Sequence, residues 1–280
     1  MSAQLAGPDE LGDAERAAVE SLLRRLADDE LVLAERYTEW QVRAPTLESD
    51  LAISNIAQDE LGHARLWYDL LQDFGYTEAE LIFERDPADF RHSTLVERPF
   101  ETGDWADAIV RGYFYDVAEE LRLEALEDTS YPRIADRVAK ILSEENYHRE
   151  HAQNWLERLT SDDEGVERVQ AAVDRLFPYA LTLFEAGDAN EDIDELGIRT
   201  ESLDSMREQW LDIVVPFLAS LGVDVPAESE DDVDELLPEH IGRDGNHTDD
   251  WADLHDDMTR TYRDLGRTEA HRIMPDPDNE

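Results

Sequence analysis

NIAQDELGHAR, residues 55–65, sets Glu60 and His63 three apart in a run whose apolar residues recur at helical spacing. Working outward by threes and fours, Ile53, Ile56, Trp67, Leu70 and Phe74 share the face that carries both. Residues three apart on a helix lie one turn apart on one surface, so a carboxylate and an imidazole are aimed together into a core. About 85 residues later the arrangement recurs, with Ile134, Val138, Ile141, Glu145, His148, Ala152, Trp155 and Leu159 on one stripe. An ionised carboxylate is costly to bury and persists when paired or bound to a cation. Two Glu-x-x-His helices, with one acid from each of two further helices, supply the donors of a carboxylate-bridged metal pair in a bundle.

The further acids follow from the same phase. A helix over 15–42 has the stripe Val19, Leu23, Leu26, Glu30, Leu33, Tyr37 and Trp40, with Glu30 its sole acid. A helix over 103–127 places Ile109, Tyr113, Asp116, Glu120 and Leu123 on one face. Asp116 precedes Glu145 by 29 residues and Glu30 precedes Glu60 by 30, so Asp116 is favoured, with Glu120 in reserve. The expected ligands are therefore Glu30, Glu60, His63, Asp116, Glu145 and His148. With 70 acids in 280 residues a single Glu-x-x-His arises by chance; two on apolar stripes, with Glu30 in phase, do not. His151 lies on a flank, and His92, His240, His247, His255 and His271 lie in polar or loop-like contexts, so none is expected to be a ligand.

The formal charge is -45, and Lys140 is the only lysine. Acids occupy the polar face of every expected helix rather than one tail, which points to a surface adapted to concentrated salt, a halophilic cytoplasm. No basic patch is present for nucleic acid. Without cysteine there is no disulfide, thiolate metal site or iron-sulfur cluster, so electrons must come from another protein. There is no secretory signal and no membrane-spanning run, and a cytoplasmic protein is expected.

The expected fold is all-α. Residues 1–14 read as a flexible leader, and Ala44-Pro45-Thr46 closes the first helix and caps the second, spanning 46–74. Residues 75–102, with Phe83, Phe90, Phe100, Pro87 and Pro99, form a long crossover of the kind found in ferritin-like four-helix bundles. The fourth helix spans 133–159, and the bundle unit 15–190. A helical extension over 191–270 packs on it: helix from Glu201 to Leu221 interrupted by Pro216, and from Asp249 to Leu265. Val166 to Phe184 is helical with a kink at Pro178. Glu228 to Glu235 reads as solvated acidic loop and 271–280 as a disordered tail. Gly242 to Thr248, GRDGNHT, is turn-rich and follows no strand, so it is not a phosphate loop.

Taken together, YTEWQVRAPTL (37–47), NIAQDELGHAR (55–65), FRHSTLVERP (90–99) with Gly103-Asp104-Trp105, VDRLFPYALTLF (173–184) and GRDGNHT (242–248) resemble the C subunits of phenylacetyl-CoA epoxidase, nearly end to end. The resemblance implies a cytoplasmic multicomponent oxygenase with a catalytic A-type subunit, an electron-supplying reductase and phenylacetyl-CoA as substrate. In such C subunits the metal ligands are largely lost and their role is structural. Here the six ligand types match those of the A-type subunit, aspartate in the third helix included, which implies two non-haem iron ions.

Overall fold

Four of the long helices begin where a side chain accepts an unpaired N–H of the first turn, at Thr46, Asp104, Asp162 and Ser202. The computed structural model describes residues 4–5, 7–100, 103–227, 233 and 235–266. Helix α1, Asp13–Gln41, leads into α2, Leu47–Gln72, whose Ser49 N–H is accepted by the Thr46 hydroxyl at 3.2 Å. Asp104 opens α4, Trp105–Glu124, in a reciprocal capping box with Asp107. Pro132 stands first in α5, Pro132–Leu159, where its missing N–H costs nothing. Helices α1 and α2 pack as one hairpin and α4 and α5 as another, and α2 against α5 and α1 against α4 complete the bundle. Among the described residues no strand forms.

The crossover is more ordered than an expected connection. It contains a π-turn at Ala79–Phe83 and a single helical turn, α3, Thr94–Glu97, whose residues are all buried. Helix α6, Asp163–Leu181, lies on α4, followed by the short α7, Asn190–Glu195, and then α8, Leu203–Ser220. The interruption expected at Pro216 is not found: α8 continues through it to Ser220, and Pro178 likewise sits inside α6. Both prolines lie near a C-terminal end, where little helix remains to be disrupted.

Trp210 anchors α8: fully buried among Phe114, Phe177 and Phe184, it donates its indole N–H to the Phe114 carbonyl at 3.0 Å. Trp251 does the same for α9, Asp249–Asp264, donating to the Pro87 carbonyl at 2.9 Å and packing edge-on against Phe90. The glycines of GRDGNHT are explained by this docking. Gly242 and Gly245 have φ of +82° and +84°, and a Cβ on either would come within 2.1 or 2.2 Å of the carbonyl of His92 or Ala88.

Of the expected leader, Leu5 donates its N–H to the Ser130 carbonyl at 2.8 Å, and Pro8–Glu10 forms a 3-10 turn before α1. Leader residues 1–3 and 6, positions 228–232 and 234 of the acidic loop, the tail 271–280 and His271 lie outside the described residues. No described helix is long and apolar enough to cross a membrane.

Candidate metal centre

All six expected residues converge at the middle of the bundle, each at most 2% exposed: Glu30 from α1, Glu60 and His63 from α2, Asp116 from α4, Glu145 and His148 from α5. Glu60 Oε2 lies 3.7 Å from His63 Nδ1 and Oε1 lies 3.6 Å from His148 Nδ1, so its two oxygens face opposite histidines. Glu145 Oε1 lies 3.3 Å from both Nδ1 atoms. Glu30 approaches His63 Nδ1 at 3.8 Å. The donors fall into two overlapping sets, Glu30, Glu60 and His63, and Glu60, Asp116 and His148, with Glu60 common to both.

Both oxygens of Glu30, Glu60 and Glu145, one of Asp116 and both Nδ1 atoms are buried without a hydrogen-bond partner. Buried polar groups are almost always satisfied, and this concentration of orphaned acceptors facing inward fits cations between them. Burial raises the pKa of Glu30, Glu60 and Asp116, and a neighbouring carboxylate adds to it: Glu60 for Glu30, Glu145 for the other two. Burial opposes ionisation of Glu145 as well, yet His148 and His63 overcome it and hold Glu145 down at about 2. Burial works against a charged His148, but Asp59, Glu145 and Glu60 raise it to about 12. His63 is raised in the same way by Glu145, Glu30 and Glu60.

The outward nitrogens reveal two residues that the helical stripes do not point to. His63 Nε2 meets Glu144 Oε2 at 2.8 Å, and His148 Nε2 meets Asp59 Oδ2 at 3.4 Å. Each histidine is thus oriented by the acid that precedes the glutamate of the opposite helix, leaving Nδ1 for a metal, as carboxylates orient metal-binding histidines generally. The signal was present as a doubled acid-Glu-x-x-His, Asp59-Glu60-x-x-His63 and Glu144-Glu145-x-x-His148. Glu120, held in reserve, turns outward to an ion pair with Arg149.

The acids before Glu30 were missed too. Asp28 and Asp29 are fully buried; Asp28 accepts from Tyr68, Arg85 and the Arg91 N–H, and Asp29 from the Ser93 N–H, Arg122 and Arg243. Arg122 also pairs with Glu119, whose pKa burial raises and which lies beside Glu30. The crossover and the GRDGNHT segment are thereby tied to α1 one residue from a candidate ligand.

His92 and His247 lie in loop segments, as expected, yet they are tied into the interior. His92 is fully buried; its Nε2 meets Glu97 Oε2 at 2.8 Å, and His247 Nδ1 meets the same oxygen at 2.9 Å. Their residue types could hold a metal. The carboxylate, however, is consumed by hydrogen bonds, its other oxygen accepting from the Thr248 N–H at 2.9 Å. This cluster is a latch between α3 and the late segment. His151 lies beside the centre without joining it, on a cavity of about 20 Å³ shared with Tyr37, Ile56, Gly112, Asp116 and His148.

A four-helix bundle with a long crossover and an acid-histidine cluster at its centre has the architecture of the ferritin-like proteins. The chain belongs to the phenylacetic acid catabolic protein family, whose model matches residues 1–268. It is 34% identical over 207 residues to the C subunit of the 1,2-phenylacetyl-CoA epoxidase of Escherichia coli strain K12, spanning 73% of this chain and 82% of that relative. It is 27% identical over 223 residues to the A subunit of the same epoxidase, spanning 78% of this chain and 72% of that relative.

Proposed function

We propose that this chain is a subunit of a cytoplasmic 1,2-phenylacetyl-CoA epoxidase and that Glu30, Glu60, His63, Asp116, Glu145 and His148 hold two non-haem iron ions. The observation that carries the second half is the ring of orphaned carboxylate oxygens and Nδ1 atoms facing one another between four helices. Four carboxylates offset the charge of two divalent ions, and imidazole completes an N/O donor set suited to iron. Glu60 and Glu145 are the bridging candidates, because each faces both histidines. Iron bound there would supply dioxygen activation, with electrons from a separate reductase. Glu144 and Asp59 fix the imidazole rings, and Ile53, Ile56 and Ile109 give the cavity beside Asp116 an apolar lining.

A second reading, a scaffold for an A-type catalytic subunit, is favoured by the cavity. At about 20 Å³ it accommodates a water- or dioxygen-sized molecule and not an aromatic ring. Reconstitution with a reductase and an A-type subunit separates the two. In the catalytic reading, His148→Ala stops epoxide formation from phenylacetyl-CoA by roughly a hundredfold or more while the complex still assembles. Unchanged turnover by an assembled His148→Ala complex would establish the scaffold.

The charge of -45 supports a high-salt setting for this complex. Like charges spread over a surface repel less as the screening length shortens, from about 30 Å at 0.01 M salt to about 3 Å at 1 M. The melting temperature of the full chain is therefore expected to fall steadily from molar to millimolar sodium chloride. A melting temperature that holds or rises on dilution would remove the basis for the halophilic reading.

A further inference from the structure

In a chain so rich in acids, four arginines far apart in sequence line one cavity of about 30 Å³: Arg25 of α1, Arg122 of α4, Arg199 before α8 and Arg243 of GRDGNHT. All four are at least nine-tenths buried. Their carboxylate partners are unevenly shared. Arg122 and Arg243 divide Asp29, Arg122 also meets Glu119, and Arg199 meets Asp194 at 2.6 Å. Arg25 donates to the Ser21 hydroxyl and the Asp188 carbonyl, and among the described residues no carboxylate ion-pairs with it. The Nε atoms of Arg25 and Arg122 are buried without partners. Burial, and then the neighbouring Arg243 and Arg199, lowers the Arg25 pKa to about 9.

We propose that this cavity binds one small monovalent anion, a halide or a short carboxylate such as formate. Among the described residues the four guanidiniums share Asp29, Glu119 and Asp194, and Glu185 at the cavity wall is matched by Arg207, so the cluster carries one guanidinium more than its own carboxylate partners balance, which matches a single negative charge. The volume is that of about two waters, enough for such an ion and too small for a nucleotide phosphate with its sugar. Apart from Glu185, whose carboxylate pairs with Arg207 at 3.3 Å, the remaining walls, Leu22, Leu26, Leu126, Leu183, Leu203 and Met206, are apolar, so a weakly hydrated anion enters at the smallest desolvation cost.

The test uses the full chain at constant sodium and constant ionic strength, with gluconate, too bulky to enter, replaced by bromide, chloride or formate. The wild type is expected to melt about 3–6 °C higher in the anion it binds, as a ligand held only by the folded state requires. Arg25→Met is expected to lose that dependence. Leu203→Phe, which fills the cavity and leaves the four guanidiniums in place, is expected to lose it as well and guards against a folding failure of the first variant. Crystals grown in bromide are expected to show an anomalous peak between Arg25 and Arg243. A response to bromide but not formate assigns the site to halides, and the reverse assigns it to carboxylates. Parallel shifts in wild type and both variants, an anomalous map without a peak there, or stabilisation by phosphate alone would overturn the proposal.

Discussion

Glu60→Ala is expected to remove stoichiometric iron from the purified chain while leaving the metal-free protein at least as stable as the wild type. The two effects have one cause. Glu60 belongs to both donor sets, so its loss opens both positions at once. Without a cation it is a buried acid whose oxygens find no hydrogen-bond partner, raised in pKa by burial and by Glu145, and removing it relieves that cost. Iron loading under anaerobic conditions should stabilise the wild type by about 4 kcal/mol at a thousandfold excess over Kd, and the variant hardly at all. Metal analysis and paired melting curves with and without ferrous iron check both halves. A variant that keeps two iron ions per chain, or a metal-free variant destabilised by several kcal/mol, would mean that Glu60 serves packing rather than metal.

Local periodicity made this centre legible. Each candidate ligand sits within a stripe that a 3.6-residue repeat exposes, and the stripe predicts burial without knowledge of the partner helix. Asp116 was chosen over Glu120 by spacing alone, and the structure buries the first and pairs the second with Arg149. The stripes did not disclose side chains that owe their burial to distant partners. Asp29 lies off the apolar face of α1 and is buried because Arg122 and Arg243, 93 and 214 residues away, reach it. Glu144 and Asp59 lie beside the stripe and were passed over, although the repeated acid before Glu-x-x-His marked them. The arginine cavity draws on positions 25, 122, 199 and 243, which no sequence window can join. Pro216 misled in the opposite direction, since a proline so close to a helix end disturbs only the last turn.

Glu97→Ala is expected to cost about 3–5 kcal/mol, the range for removing one partner from a buried charged cluster. The carboxylate receives His92, His247 and the Thr248 N–H, and His247 faces the Phe90 carbonyl with its other nitrogen at 3.1 Å. Without Glu97 the two imidazoles remain stacked at 4.1 Å with nothing between them to accept, and GRDGNHT loses its hold on α3. Limited proteolysis should then cut near Gly242 to Thr248 in the variant and spare the wild type. The latch also sets an acid limit. Burial, then His247, lowers His92 from 6.5 to about 4, so between those values the unfolded chain binds a proton that the folded chain refuses. Stability from this group is intact above pH 6.5 and falls by about 3 kcal/mol as pH drops to 4. Glu97, held below its usual range by His247 and His92 despite burial, adds a further loss below about pH 4.5. His92→Asn, which can still donate to Glu97, should flatten the pH 4–6.5 segment of the stability curve relative to wild type. Superimposable curves for the two proteins would show that His92 takes up its proton without opening the latch. Because GRDGNHT also brings Arg243 to Asp29, one residue from Glu30, a weakened latch should loosen the candidate metal centre before the bundle itself unfolds.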